Sequence, residues 1–260
     1  MSSFDLNVEI GDDHVAVVEF GRAPNNFFDL DMISGIADAL QGLSGNHDAR
    51  AVLLCSSGKH FCAGADFAGG SETEAPGPNA SGDAHLYDAA VRIFAQPLPI
   101  VAAVQGAAIG GGLGVALAAD LRVATPETRF AAPFSRLGLH HGFGLSVTLP
   151  LVVGHQKAIE LLYTARRVRG DEAFEMGLCD RLVSIAELRP TAHALAAEIA
   201  GAAPIALRSI RTTMRGHLAE QVRAATDREK AEQALHRRTN DMKEGVRADL
   251  ERRTPNFTGT

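Results

Sequence analysis

Two glycine-rich segments have the residue types and spacing that carbonyl chemistry needs. The first, residues 56–67 (SSGKHFCAGADF), follows an apolar run, and its small residues let the main chain turn and expose N–H groups. The second, residues 104–120, places three successive glycines, Gly110 to Gly112, before an apolar helical run. Unsatisfied N–H groups at a helix start suit an anionic oxygen. If the two segments meet, their N–H groups form an oxyanion hole, a large catalytic contribution in acyl chemistry.

Close packing of the main chain is a second explanation for the glycines of residues 104–120. Gly106, Gly110 and Gly114 recur at every fourth residue, which also suits close packing of the main chain. Spacing alone leaves both explanations open. The pattern is not a dinucleotide fingerprint, because G-x-G-x-x-G fails at Val115, and the chain has no P-loop G-K-[ST] sequence.

Alternating strands and helices must position these segments. Apolar alternation or solid apolar runs predict strands, and 3.6-residue spacing predicts a helix, in the following ranges: strands 14–20, 51–57, 99–104, 121–125 and 128–132, and helix 29–43. This order predicts an α/β core whose crossover helices cover the strands. Residues 68–83, rich in Gly, Pro, Ser and acids, are predicted to form a surface loop, either a lid or a tolerated insertion.

The second half of the chain is mostly helical by its apolar spacing. Helices are predicted at 155–164, 170–177, 187–201, 205–216, 218–238 and 240–253, with a short strand over DRLVS. We therefore expect a core over residues 1–200 and a helical region over residues 201–260.

Composition and charge exclude several classes of protein. The chain is 46% hydrophobic with a net charge of −6, and 12 Lys and Arg against 8 Asp and Glu give residues 201–260 a charge of +4. An acidic body without a dense basic face does not predict a nucleic-acid binder. Three cysteines, an odd number, indicate a reducing compartment, and none has zinc-site spacing, so we expect a cytoplasmic protein without a metal. Residues 98–119 lack charge, but their proline and glycines favour a strand, turn and buried helix over a membrane span.

The motifs HFCAGADF and QGAAIGGGLGVALAAD, about forty residues apart, resemble the enoyl-CoA hydratase/isomerase (crotonase) superfamily. The resemblance continues through RFAAPFSRLGL and to the terminal DMKEGVRADLERRTPNFTG, so it covers nearly the whole chain. It implies a spiral of ββα turns with a C-terminal helical trimerisation region, assembled as a homotrimer or a dimer of trimers. It also implies an acyl-CoA thioester substrate, with coenzyme A entering as part of the substrate and no separate cofactor. On the matching positions the oxyanion donors are Ala65 and Gly111, and Ala63 belongs to the same coenzyme-A-contacting segment.

The chain departs from the family pattern at the acid–base positions. The resemblance implies one glutamate two residues after the triple glycine and another after the proline at the end of a later strand. Here these positions hold Gly114 and Phe134. Because general acid–base assistance contributes about 10²–10⁴-fold, ordinary hydratase chemistry is in doubt.

Several side chains could substitute for the missing carboxylates. His140 and His141 align with a stretch where some family members place another catalytic acid, and histidine is a competent base near neutral pH. Either histidine could instead lie on a loop surface or cap the following helix. Weaker candidates are His60, which could instead hydrogen-bond to hold its loop, Asp66, a predicted helix N-cap, and Asp83 and His85, which adjoin the predicted loop.

The coenzyme A end also departs from the family pattern. Arg252 occupies the place of a C-terminal cation that often meets the nucleotide phosphate, although complementing a helix end would explain it equally well. Asp249 stands where an aromatic residue often touches the ligand. Near Arg22 the usual lysine is replaced, and Arg22 is the remaining candidate for coenzyme A binding there.

The leading hypothesis is a crotonase-fold enzyme of lyase or isomerase type that stabilises the enolate of an acyl-CoA thioester. Two alternatives stay open. One is a non-catalytic acyl-CoA-binding or assembly subunit, and the other is a hydrolase that cleaves a carbon–carbon bond in a diketone.

Overall fold

The computed structural model describes residues 4–66 and 85–260. In these ranges the strands are, in chain order, β1 (Asp5–Ile10), β2 (Val15–Gly21), β3 (Ala51–Ser56), β4 (Ile100–Val104), β5 (Ala107–Ile109), β6 (Leu121–Ala124), β7 (Arg129–Ala131), β8 (Val168–Arg169) and β9 (Arg181–Leu182). The loop predicted at 68–83 lies outside the described residues.

The helices of the described ranges are α1 (Leu30–Leu43), α2 (Leu86–Phe94), α3 (Gly111–Ala118), α4 (Leu145–Val153), α5 (His155–Thr164), α6 (Gly170–Glu175), α7 (Ile185–Ala200), α8 (Pro204–Arg215), α9 (Leu218–His236) and α10 (Asn240–Leu250). A short 3-10 helix covers Pro133–Leu137. Within the described residues, every strand and helix predicted from the sequence is present within a few residues of its predicted bounds.

The strands form two sheets. The larger sheet has the order β1-β2-β3-β4-β6-β9, in which β1 runs antiparallel to β2 and the other neighbours are parallel. The smaller sheet has the order β5-β7-β8. This α/β architecture confirms the predicted fold class.

The central strands are buried on both faces because helices cover both sides of the larger sheet. In β3, Val52 and Leu54 belong to the core under α1 and α2, whereas Leu53 and Cys55 face the core under α7. This alternation follows from the two-residue period of a strand. It explains why β3 reads as one solid apolar run.

The uncharged stretch 98–119 folds as a strand, β4, a turn and the buried helix α3, as predicted, with the unpredicted short strand β5 before the helix. All eight residues of α3 are buried in the protein interior. Among the residues that the structure describes, no helix has the length and apolar character needed to cross a membrane.

The C-terminal helices pack in different ways on the rest of the chain. Helix α9 contacts α2 and α4, and Leu218 and Val222 join the main core. Helix α10 packs on the 3-10 helix. Helix α8 buries none of its residues.

Candidate active site

A cavity of about 380 Å³ lies where the two glycine-rich segments meet. Ala63, Gly64 and Ala65 line it from the segment after β3, and Gly110 and Gly111 line it from the start of α3. The structure therefore brings both predicted segments to one cavity.

Main-chain hydrogen bonds hold the two segments together. The Cys62 N–H donates to the Ala107 carbonyl at 2.9 Å, and the Ile109 N–H donates to the Cys62 carbonyl at 3.0 Å. A Cβ on Gly112 would lie 2.2 Å from the Cys62 carbonyl oxygen, so only glycine permits this approach. Close packing thus accounts for Gly112, which is not one of the glycines at every fourth residue, and also for Gly106, where a Cβ would lie 2.2 Å from the Lys59 carbonyl oxygen.

The two predicted donors lie in this wall. Gly110 has a φ of 58°, and its N–H donates to the Ala131 carbonyl at 2.8 Å. The next N–H, that of Gly111, begins α3, where the helix itself offers no acceptor. Within the described ranges, no acceptor is hydrogen-bonded to the N–H of Gly111 or of Ala65. Both groups are available to a ligand.

A buried asparagine that sequence reasoning missed holds the first segment. The Asn26 amide donates to the carbonyls of Ser57 and His60, at 2.7 Å in each case, and its oxygen accepts the Arg22 N–H at 2.7 Å. Asn26 is fully buried and has a φ of 52°, a region that asparagine tolerates better than most residues. The only signal in the sequence is the pair Asn25-Asn26 after a proline, which marks a turn and no more.

An aromatic ring fills the space next to Gly114. A Cβ built on Gly114 would lie 2.4 Å from Cδ1 of Phe143, and one built on Gly111 would lie 2.4 Å from the Phe28 ring. Phe143 is buried and lines the cavity, as does Phe134 at the second predicted glutamate position. Apolar rings therefore occupy the region where the resemblance implies carboxylates.

The two predicted catalytic histidines do not line the cavity. The His140 N–H donates to Nδ1 of His236 at 2.8 Å, and Nε2 of His141 lies 2.9 Å from the Ser146 hydroxyl. Burial and the neighbouring His140 lower the pKa of His141 to about 4, so its ring is neutral at pH 7. In this arrangement the pair connects a loop to α9 and α4, a structural role that the sequence did not predict.

Three other titratable candidates lie in the cavity wall: His60, Asp66 and Asp249. Burial lowers the pKa of His60, with smaller contributions from Lys59 and Arg129. Its Nδ1 is buried without a partner in the described structure. The main-chain carbonyl of His60 accepts hydrogen bonds from the Asn26 amide and the Ser56 hydroxyl, and these bonds hold the loop.

The remaining weak candidates lie at the edge of the described chain. His85 caps α2, where its Nδ1 accepts the Tyr87 N–H at 3.1 Å. Burial lowers the pKa of His85 to about 4. Asp83, and the helix that Asp66 was predicted to cap, lie outside the described residues.

Of the three residues predicted to bind coenzyme A, Ala63 lines the cavity, whereas Arg22 and Arg252 do not. Ala63 lines the cavity, although its N–H is used by the Asn25 carbonyl at 3.0 Å. Arg22 is not among the lining residues, and its guanidinium pairs with Asp29 at 2.8 Å. Arg252 is exposed and follows Asp249 and Leu250, which both line the cavity.

Two cations that sequence reasoning missed also line the cavity, the half-buried Arg129 and the exposed Arg167. Both stand in or beside the strands of the smaller sheet. Isolated arginines carry no sequence pattern, so only the fold shows that they share this cavity.

Comparison with known proteins identifies the family of this chain. The family model for enoyl-CoA hydratase/isomerase matches residues 11–260. Crotonyl-CoA hydratase from Syntrophomonas wolfei is 33% identical over 89% of both chains. The 1,2-epoxyphenylacetyl-CoA isomerase of Escherichia coli is 31% identical over 90% of both chains.

A solved structure shows the same fold. The enoyl-CoA hydratase/isomerase from Pseudoalteromonas atlantica T6c has a TM-score of 0.86 at 30% identity and covers 97% of this chain and 99% of its own. The chain therefore belongs to the enoyl-CoA hydratase/isomerase family, and it is an enzyme of that family.

Proposed function

We propose that the enzyme binds an acyl-CoA thioester with the thioester oxygen between the N–H groups of Ala65 and Gly111. The observation that carries this proposal is that both N–H groups lie in one cavity wall with no acceptor among the described residues. When a bond to the α carbon breaks, negative charge moves onto the thioester oxygen. Fixed donors stabilise that charge without reorganising, and the positive end of the α3 dipole adds to their effect.

Proton transfer is the step in which this enzyme departs from a two-glutamate hydratase. Position 114 is glycine, position 134 is phenylalanine, and the nearby wall is aromatic. His60, Asp66 and Asp249 line the cavity, so we propose that one of them moves the proton. A catalytic role for His140 or His141 stays a prediction, and it requires their loop to leave the contacts with His236 and Ser146.

The donor pair can be tested at Ala65, where one substitution removes the N–H and another keeps it. Ala65→Pro lacks the donor, whereas Ala65→Ser retains it at the same position. Loss of one oxyanion donor lowers kcat by about 10²–10³-fold. We expect that loss in Ala65→Pro and near wild-type turnover in Ala65→Ser, and equal turnover in the two would contradict the proposal.

The assay must cover more than one reaction because the proton-transfer groups differ from those of a hydratase. Three readouts are crotonyl-CoA hydration, 3-hexenoyl-CoA isomerisation and exchange of the butyryl-CoA α protons with D₂O. We expect exchange or isomerisation, with hydration at least about 10²-fold slower than in the Syntrophomonas wolfei crotonyl-CoA hydratase measured alongside. Tight acyl-CoA binding with none of these reactions would support a binding subunit instead. Cleavage of free diketones would support the hydrolase.

We also propose that the protein assembles as a homotrimer or a dimer of trimers through α8. Ile205, Ile210 and Met214 on this helix are 60–85% exposed, and exposed apolar clusters mark interaction sites. Light scattering should give three or six times the chain mass, and Met214→Glu should lower it. A monomeric wild-type protein would contradict the proposed assembly.

A further inference from the structure

Phe143 adopts a backbone conformation that a phenylalanine rarely takes. Its φ is 61°, and the next residue, Gly144, has a φ of 74°. A bulky residue in the left-handed region costs free energy, so neighbouring contacts must hold it there. The ring is 1% exposed and lies in T-shaped contact with Phe28 and Tyr87, at centroid distances of 6.1 and 6.4 Å.

Contacts from two helices hold the chain at this point. The Tyr87 ring of α2 packs against the Phe143 ring, and the Gly144 N–H donates to a Glu229 carboxylate oxygen of α9 at 2.8 Å. The other Glu229 oxygen accepts the Ser146 hydroxyl at 2.6 Å and the Ser146 N–H at 3.2 Å. Glu229 is fully buried, and its charge faces the N-terminus of α4, where a helix favours an anion.

The polar groups of Tyr87 and Gln233, which lie next to the ring, are hydrogen-bonded within the protein. The Tyr87 hydroxyl donates to the Gln233 side chain at 3.0 Å, and the Gln233 amide donates to the His140 carbonyl at 2.9 Å. Tyr87 and Gln233 both line the cavity, and these bonds join their polar groups to each other and to the main chain. The end of the cavity near Phe143 therefore presents an apolar surface.

We propose that Phe143 determines acyl-group specificity by closing the cavity beside the oxyanion donors, and that Glu229 is the positioning residue that holds it there. Phe143 lies directly beside the donor Gly111, because a Cβ built on Gly111 would lie 3.2 Å from the Phe143 ring. Carbons next to a carbonyl bound at Gly111 meet this ring directly. The site takes short, unsubstituted, apolar acyl groups, and longer chains are excluded from the space that Phe143 fills beside Gly114.

This inference rests on the proposed acyl-CoA substrate, so the test measures ligand binding across chain lengths. Calorimetry with butyryl-, octanoyl- and dodecanoyl-CoA gives the ratio of Kd values for long and short chains. We expect wild type to favour butyryl-CoA. In Phe143→Leu, the octanoyl-to-butyryl Kd ratio should fall about tenfold, since each buried methylene contributes about 0.8 kcal/mol.

A matched control separates cavity opening from general loss of core packing. Phe20→Leu removes the same atoms from a ring that is 1% exposed but does not line the cavity. It should lower Tm without changing the Kd ratio. An unchanged ratio in Phe143→Leu, or an equal change in Phe20→Leu, overturns the role of Phe143.

The positioning role of Glu229 has its own readout. Glu229→Gln keeps one acceptor oxygen but turns an NH₂ group toward a main-chain N–H, which loosens the turn that carries Phe143. It should shift the Kd ratio in the same direction as Phe143→Leu, about threefold. Glu232→Gln is the control, because Glu232 lies on the same helix but pairs only with Arg228 in the described structure. This variant should leave the Kd ratio at the wild-type value.

The measurements distinguish failure of the positioning role of Glu229 from failure of the proposed acyl-CoA binding. Altered stability in Glu229→Gln with an unchanged Kd ratio overturns the positioning role and leaves the proposed function standing. Failure of the wild-type protein to bind any of the three acyl-CoA thioesters overturns the proposed function, and this inference with it.

Discussion

The cavity has two kinds of wall. Residues 63–65 and 110–111 contribute main chain and small side chains, whereas Phe134 and Phe143 contribute aromatic rings. Oxyanion stabilisation needs only N–H groups, and the first wall supplies these whatever the neighbouring side chains are. Acid–base chemistry needs particular side chains, and positions 114 and 134, where the resemblance implies glutamates, hold glycine and phenylalanine. This difference is the basis of our proposal that the enzyme keeps carbonyl polarisation while its proton transfer differs from that of a two-glutamate hydratase.

The largest effect should come from disturbing the main-chain wall. Gly112→Ala places a Cβ against the Cys62 carbonyl, and a backbone atom cannot move aside cheaply. We expect a loss of about 3 kcal/mol or more in the free energy of unfolding, together with loss of activity.

Gly42→Ala is the matched control for this change, because it is also a helical glycine-to-alanine substitution. A Cβ on Gly42 meets nothing within 4 Å, and alanine favours the helix by about 0.5–1 kcal/mol. Urea unfolding of both variants checks the pair. Equal stability of the two would show that the Cys62 approach is not tight.

The aromatic wall can be tested by restoring a carboxylate. Gly114→Glu alone drives its side chain into Phe143 and should cost about 3 kcal/mol. Phe143→Gly alone leaves a cavity and should cost a similar amount. Because the second change makes room for the first, the double variant should lose at least about 1 kcal/mol less than the sum. Additive losses in urea unfolding would mean that Phe143 does not fill the space next to Gly114.

Acidification provides a smaller test of the regions outside the cavity. The pKa of His141 and that of His85 are both lowered to about 4, chiefly by burial, from an ordinary value of 6.5. The folded state therefore binds fewer protons than the unfolded state between pH 6.5 and 4. The free energy of unfolding should fall as the pH falls through this range.

Replacing both histidines should weaken the dependence of the free energy of unfolding on pH. His141→Gln keeps an N–H donor for Ser146, and His85→Asn keeps a capping acceptor for α2. Thermal unfolding of the double variant between pH 7 and 4 should show a weaker decline of Tm than wild type. The same slope in both proteins would exclude these histidines as its cause.

The smallest effect should come from the exposed end of the cavity. We propose that Arg252 meets a phosphate of coenzyme A, as its place in the resemblance implies. Arg252→Ala should raise KM for an acyl-CoA by about three- to tenfold with kcat unchanged, since an exposed ionic contact contributes about 1 kcal/mol. Lys243→Ala removes one exposed cation from the same C-terminal region, and its KM should stay at the wild-type value. Equal changes in the two variants would contradict a specific phosphate contact.

Local patterns predicted most of the fold. The solid run at 51–57 predicts β3, and the helix spacing at 29–43 predicts α1, because both signals lie within one element. Six elements of the described residues were not predicted from the sequence: the edge strand β1, helix α2, the short strands β5 and β8, the 3-10 helix, and helix α4, which contains Pro150. An edge strand with little burial and a helix with an internal proline both depend on neighbours for their stability.

The sequence by itself determined the two main-chain segments that form one wall of the cavity. Glycine spacing after a strand and before a helix fixes backbone conformation, and backbone conformation places N–H groups. The tertiary structure alone decided the side-chain chemistry: Phe143 lies against Gly114, His140 and His141 turn away to α9 and α4, and His60 faces the cavity. The physical reason is that these neighbours are separated along the chain and are set by close packing of the core, which short-range spacing does not encode.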